Sequence, residues 1–420
     1  MRPPPTRHLT SDTALLEAYR ARTPRSAAAY QRATAALPGG ETRSITFYDP
    51  YPVILAEGHG SRLLDVDGIE YLDLVNNYTS LIHGNAFAPA VAAATAVLTT
   101  GAAFPSQHER QLELAELLIA RIPTVQRVRF TNSGTEASVL AARLARRATG
   151  RTRLLLFDGA YHGSAPPLLA GGPDVVTVPY NDFDAVQEAL TEDVAAVFAE
   201  PFLGVGGVIP GRTDFLRATA DLARARGALF VLDEVQSLRN AVGGEQSRLG
   251  LRPDLTVLGK IIGGGMPIGA LGGSEELLRL TAATTDRHLT HSGTFNGHLT
   301  AMAAGAVTLR HLDAPAIDHL DQAARHLADA ITAAAADAGI PATVTRAGSI
   351  LNVHFRRVAP VNAEQARTAN PLPRALHLAL LLDGIYTTRR GMINLSTALD
   401  ADDLDRAARA YANAFQRLAR

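Results

Sequence analysis

The sequence predicts an α/β protein: a large domain around a mainly parallel sheet, and a small α+β domain built from both chain ends. Three observations carry this. From about Pro89 onward, apolar helical stretches alternate with short continuous β runs, the pattern of a sheet covered on both faces. Five of those runs lead straight into polar or glycine-rich segments. The two ends of the chain lack the alternation and mix short strands with helices. The expected boundaries are 1–75 and 336–420 for the small domain and 76–335 for the large one.

Taken in order, Asp12 to Arg22 and Ser26 to Ala36 read as helices, closed by Pro38-Gly39-Gly40. Val53 to Ala56 and Arg62 to Val66 read as strands, with Asp67-Gly68 as a hairpin turn after the second. The five β runs are Val128 to Phe130, Leu154 to Phe157, Ala195 to Phe198, Leu229 to Leu232 and Thr256 to Leu258. The alanine-rich stretch from Ala301 to Ala336 reads as helices leading away from the sheet. The last part offers a strand at Ile350 to Phe355, a helix at Leu372 to Leu382 and a closing helix from Ala401.

Composition narrows the function. The chain has 420 residues, 47% hydrophobic and 19% charged, with a formal net charge of −1. That balance offers no basic footprint for nucleic acid or an anionic membrane. No apolar stretch approaches the roughly 20 residues of a membrane span. Met1-Arg2-Pro3-Pro4-Pro5 has no apolar segment behind its charge, so a secretory signal is not expected. There are no cysteines, which excludes disulfides, thiolate metal sites and cysteine nucleophiles and fits a cytoplasmic enzyme. No metal site is expected. Of the 40 basic residues only Lys260 is a lysine. A codon bias toward arginine and alanine explains why lysines are few, but not where this one sits. A lysine amine can be tuned to attack a carbonyl, whereas a guanidinium stays protonated.

In open α/β sheets ligands gather beyond the carboxyl ends of the strands, so the residues that follow the five runs belong to one candidate site. Thr131-Asn132-Ser133-Gly134-Thr135-Glu136 enters a helix with hydroxyls and free N–H groups, which suits a phosphate; an ordinary helix N-cap reads the same way. Tyr161-His162-Gly163 can lay a ring on a flat ligand or be a plain surface loop. Glu200-Pro201 closes the third run, where the carboxylate can simply end the strand. Asp233 closes the fourth, where a carboxylate is costly unless paired; a cationic pyridinium nitrogen would pair it, and so would a metal ion. Lys260 closes the fifth before Gly263-Gly264-Gly265. Asp233 lies 27 residues upstream of Lys260, close to one strand–helix–strand crossover. Neighbouring strand ends would then present the two to opposite ends of one ring.

These segments, in this order and spacing, resemble the class III, fold-type I aminotransferases, enzymes that use pyridoxal 5′-phosphate (PLP). The resemblance runs from about Pro38 to the C-terminus. It implies that Lys260 carries the cofactor as a Schiff base and moves the proton, that Asp233 supports the pyridinium, and that Tyr161 and Val235 lie on either ring face. It implies a phosphate site at Ser133, Gly134 and Thr135, Gln236 near the phenolic oxygen, and His162 and Glu200 around the cofactor. Thr294 matches a threonine that reaches the phosphate of the other subunit, so a homodimer with shared sites is implied.

Within that class the chain is similar to the β-amino acid (β-phenylalanine-type) aminotransferases. The similarity lies in Gly40-Glu41-Thr42-Arg43-Ser44, Phe47-Tyr48-Asp49-Pro50, His291 to Asn296, Gly348 to Phe355 and Arg390-Gly391. Arg43 and Arg390 match its carboxylate binders, with Arg389 adjacent, and Ile45 and Tyr78 line the side-chain pocket. Asn76-Asn77 departs from that pattern. The implied reaction is ping-pong transfer of an amino group from a β-amino acid, or a related 3-amino acid, to a 2-oxo acid. Glutamate-1-semialdehyde 2,1-aminomutase and an ω-aminotransferase of a biosynthetic pathway are the alternatives. The aminomutases carry an asparagine where this chain has Val205.

Overall fold

The computed structural model describes residues 12–419; the reading of Met1 to Pro5 lies outside them. Its centre is a seven-stranded sheet. In chain order the strands are β1 (Arg127–Thr131), β2 (Arg153–Phe157), β3 (Val175–Val178), β4 (Val194–Ala199), β5 (Leu229–Asp233), β6 (Leu255–Gly259) and β7 (Gly269–Gly273). Their spatial order is β1-β7-β6-β5-β4-β2-β3. Neighbours pair in parallel from β6 across to β3, while β7 runs antiparallel to both β6 and β1. Six strands therefore point their carboxyl ends to the same edge.

Alternation within the strands explains the layering. Leu155, Val197, Phe230 and Leu232 face one apolar cluster, together with Phe215 and Ala220 of the helix Thr213–Ala225. Leu154, Leu156, Ala196, Phe198 and Val231 face another, with Ala137, Leu140, Ala141 and Leu144 of α1 (Gly134–Thr149). Both faces are dry, so the runs read as continuously apolar.

Two strands escaped the pattern. Val175–Val178 is short, and Gly269-Ala-Leu-Gly-Gly273 has almost no side chain to signal a strand. The glycines have a reason: a Cβ at Gly269 would stand 2.0 Å from the Ser133 carbonyl oxygen, and one at Gly272 would stand 2.6 Å from Val125. β7 lies between β1 and β6, and its close approach brings the loop after β1 to the same edge as the end of β6.

Segments from both end regions of the described chain share sheets and a core. Leu55–His59, Arg62–Asp65 and Glu70–Asp73 form an antiparallel meander, and Ile385–Tyr386 adds to Glu70–Asp73 in parallel. The helices Asp12–Arg22, Leu372–Leu382 and Ala401–Leu418 share one core, in which Tyr19, Leu72, Leu378, Tyr411 and Phe415 are buried. A second small sheet pairs Thr343–Ala347, Ile350–His354 and Met392–Asn394. No helix among the described residues is long and apolar enough to cross a membrane.

Candidate active site

The carboxyl edge of the sheet gathers four ionisable side chains. Asp233, the last residue of β5, is buried, and its Oδ2 lies 2.8 Å from His162 Nδ1 in the loop after β2. Its Oδ1 accepts the Val235 N–H at 3.0 Å. Burial opposes a charge on His162, but the hydrogen bond and charge of Asp233, with Glu200 adding, raise its pKa. His162 is thus held as a proton carrier against Asp233, and its Nε2 is buried with no partner. Sequence reasoning placed His162 in the site but not in this pair. Finding the pair requires the strand order, because β2 and β5 are separated by β4.

Glu200, directly after β4, accepts the Tyr161 N–H at 3.1 Å and the Gly204 N–H at 3.3 Å. Burial pushes its carboxyl up to about 7, with His162 pulling down and Asp233 pushing up. It ties two loops of the site together rather than merely ending a strand. The Tyr161 ring itself is 47% exposed. Glu234, to which the sequence reading gives no role, is also fully buried. It accepts the N–H groups of Glu245 at 3.0 Å and Gln246 at 2.8 Å and the Ser237 hydroxyl at 2.5 Å. Burial lifts its carboxyl to about 7. An acid next to Asp233 is visible in the sequence, but nothing there says that it turns inward.

Lys260 follows β6, next to β5, and has φ +50°, a strained conformation of the kind kept at functional sites. Its turn is clamped from below: a Cβ at Gly305, in the helix Leu299–His311, would stand 1.8 Å from the Ile262 carbonyl oxygen. Burial lowers the Lys260 amine to about 8, against the upward pull of Asp233 and Glu200. A substantial neutral fraction near neutral pH is what a carbonyl-attacking amine needs.

Ser133 caps α1, its Oγ accepting the Glu136 N–H at 3.2 Å. The N-cap bond is present, and the same turn leaves the N–H groups of Gly134 and Thr135, which head the helix, without an intrahelical acceptor. Val235 packs between Gly134 and Gly259, where an added Cβ would meet it at 3.2 and 3.3 Å. Gln236 lies against Gly204, and its Oε1 is buried without a partner. Thr294 lies on an exposed segment, with neighbouring Asn296 bonded to Asn132 at 2.9 Å.

The residues expected to bind substrate come together at a corner between the chain ends. Arg43 Nη2 donates to Asn77 Oδ1 at 3.0 Å, and the guanidinium carbon stands 5.6 Å from the Tyr78 ring centroid. The Tyr78 hydroxyl donates to the Ile45 carbonyl at 3.1 Å. Burial raises the Tyr78 hydroxyl pKa, while Arg43, Arg390 and Arg389 pull it down, so all three guanidinium groups act on one ring. Both Arg389 and Arg390 are exposed.

A doubly covered sheet with its lysine, carboxylate and helix-borne anion cradle at one edge defines a fold-type I enzyme that works with PLP. The chain belongs to the class III aminotransferases: the family model described as "Aminotransferase class-III" matches residues 46–175 and 173–403. It is 36% identical over 413 residues to a "Beta-phenylalanine transaminase" of Variovorax paradoxus, covering 95% of each chain. It is 37% identical over 425 residues to a "Glutamate-1-semialdehyde 2,1-aminomutase 2" of Geobacillus kaustophilus, covering 94% of this chain and 98% of that one. A solved omega-transaminase from Sphaerobacter thermophilus superposes with a TM-score of 0.90 at 37% identity, over 94% of this chain and 97% of that one.

The residues fit that cofactor. The buried Asp233–His162 pair suits a cationic ring nitrogen, the lowered Lys260 amine suits an aldehyde, and the start of α1 suits a phosphate. The orphaned His162 Nε2 and Gln236 Oε1 are buried polar atoms left for such a ligand to satisfy. No cluster able to hold a metal ion occurs among the described residues.

Proposed function

We propose that this aminotransferase moves an amino group from a β-amino acid, or a related 3-amino acid, to a 2-oxo acid such as 2-oxoglutarate or pyruvate, in two half-reactions. The observation that carries the reading is the corner where the Arg43 guanidinium, bonded to Asn77, stands over the Tyr78 ring, with no ion pair to Arg43, Arg389 or Arg390 among the described residues. Unpaired guanidinium groups beside a half-buried aromatic ring suit a substrate with a carboxylate and an apolar side chain.

PLP, when bound, supplies the carbonyl that takes the amino group and the ring that accepts electrons. The protein does the rest. Lys260 Nζ holds the cofactor between turnovers, and once released takes the proton from the amine-bearing carbon of the donor. Asp233, steadied by His162, keeps the ring nitrogen protonated. Ser133, Gly134 and Thr135 bind the phosphate, Tyr161 and Val235 confine the ring, and Glu200 and Gln236 hold the surrounding loops. Arg43 or Arg390 binds the donor carboxylate and later that of the 2-oxo acid, with Ile45 and Tyr78 around the side chain. The donor leaves as a 3-oxo acid.

The working unit in this reading is a homodimer. Leu98, Phe104 and Phe295 are exposed on segments joined by the Leu299 N–H bond to the Ala102 carbonyl. Such apolar residues beside Thr294 support burial against a second copy, with Thr294 reaching the partner's phosphate site. The small domain comprises 1–75 and 336–420, and the cysteine-free composition supports a cytoplasmic location.

The similarity to aminomutases keeps a second reading in play, in which the amino group returns to its own carbon skeleton. Mixing the holoenzyme with α-, β- and ω-amines and following the cofactor's absorbance tests the substrate class. Product formation should require added 2-oxo acid and favour β-amino donors. Product without an acceptor would instead establish the mutase reading.

A further inference from the structure

Four consecutive residues with side chains, Asn76, Asn77, Tyr78 and Thr79, have positive φ angles of 47°, 46°, 55° and 76°. A left-handed turn is unfavourable for every residue but glycine, and least so for asparagine. Its surroundings enforce it. Asp73 Oδ1 accepts the N–H groups of Val75 and Asn76, both at 2.8 Å. Asn76 Nδ2 donates to the Asn394 carbonyl at 2.6 Å, and Asn394 Nδ2 donates back to the Val75 carbonyl at 3.0 Å. Strain held this firmly belongs at sites where geometry matters.

What the turn presents is Asn77. Its Nδ2 donates to Ser80 Oγ at 2.9 Å, and Ser80 Oγ donates to the Asn77 carbonyl at 3.1 Å. That network fixes which end of the amide is which. Oδ1 is therefore the end that accepts from Arg43 at 3.0 Å, with the guanidinium laid over Tyr78.

The geometry points to Asn77 as a positioning residue that sets the preference for carboxylate-bearing substrates: it holds Arg43 over Tyr78 through a neutral acceptor. The inference rests on the reading of Arg43 as a carboxylate binder. A guanidinium has five N–H donors and Asn77 uses one, so a two-donor face stays open. Because the acceptor is uncharged, the full positive charge stays available as well. Aspartate at the same place would accept the same bond, cancel the charge and compete for the open face.

The test uses the holoenzyme and two unreactive ligands, 3-phenylpropanoate and its neutral analogue 3-phenylpropanamide, with dissociation constants measured by calorimetry. Wild type should prefer the carboxylate. Asn77→Asp should weaken 3-phenylpropanoate about fivefold and leave the amide within about twofold. Asn77→Gly suits the positive φ and removes the acceptor; it should weaken the carboxylate about threefold and leave the amide alone. A merely structural role would weaken both ligands alike, so their ratio is the readout. Unchanged carboxylate binding in Asn77→Asp, equal weakening of both ligands, or no carboxylate preference in wild type overturns the inference. Arg43→Gln separates the two layers. If it weakens the carboxylate while Asn77→Asp does not, only the role of Asn77 falls. If it too has no effect, the Arg43 reading falls first.

Discussion

The sheet edge and the corner between the chain ends are built by opposite means. At the sheet edge Asp233 ends a strand and Glu200 and Lys260 follow directly on strands, and Asp233, Glu200 and His162 are buried and partnered. At the corner between the chain ends, Arg43, Ile45 and Arg390 are exposed, and they sit on irregular segments around a strained turn. Strand ends fix a side chain through the whole sheet, whereas a corner turn fixes it through a few hydrogen bonds. Chemistry common to a class belongs on the first kind of support. Choice of substrate belongs on the second, where one residue can change without disturbing the core.

The sharpest way to break this contrast is at the sheet edge. Lys260→Ala should lower turnover by at least about 10³-fold and abolish covalent retention of PLP. Borohydride reduction followed by mass spectrometry checks it: the wild-type adduct should fall on the peptide holding Lys260, the chain's only lysine. Stable wild-type adducts elsewhere would remove the lysine from its role. Next in size, Asp233→Asn should cut kcat about 10²- to 10³-fold. It should also let the His162 pKa fall, because the hydrogen bond and charge that raise it are gone. A titration of the imidazole by NMR reads that shift independently of turnover.

Legibility follows the same divide. The five runs mark β1, β2, β4, β5 and β6; the last four are buried on both faces and leave an unmistakable apolar run, whereas β1 is only partly buried. The antiparallel β7 was invisible, since the close packing that demands glycine at 269 and 272 also erases the strand signal. The Asp233–His162 bond and the inward turn of Glu234 depend on strand order and on the helix Glu245–Leu249, which no local pattern encodes. At the corner, Arg43, Ile45, Tyr78 and Arg390 are singled out through family likeness alone. Nothing in Asn76-Asn77-Tyr78-Thr79 announces a left-handed turn, because Asp73 imposes it together with Asn394, which is distant in sequence.

The corner is probed with a smaller change. Arg43→Ala should raise the KM for β-amino donors about thirtyfold and alter kcat little, as expected when binding is lost equally from ground and transition states. A drop in kcat matching the loss in kcat/KM would mean that the guanidinium acts only in the transition state, and would blur the division between chemistry and choice.

An effect too small to show in turnover separates the halves by stability instead. Glu234 is buried, and its carboxyl is held at about 7 where an ordinary glutamate lies near 4.5. Between those two values the folded protein keeps a proton that the unfolded chain has released. The unfolded state binds fewer protons, so stability falls as pH rises. The contribution is fully present below 4.5 and lost once pH has passed about 7. Glu234→Gln cannot ionise, and although it disturbs the bonds to Ser237, Glu245 and Gln246, that cost is constant with pH. Its stability relative to wild type should therefore improve by on the order of 3 kcal/mol between pH 4.5 and 7.5, read from urea unfolding of the apoenzyme. Arg390→Gln, at the exposed corner, should track wild type within about 0.5 kcal/mol over the same range. If both variants ran parallel to wild type, burial at the sheet edge would not be storing an ionisation cost there, and the two halves would differ in position alone.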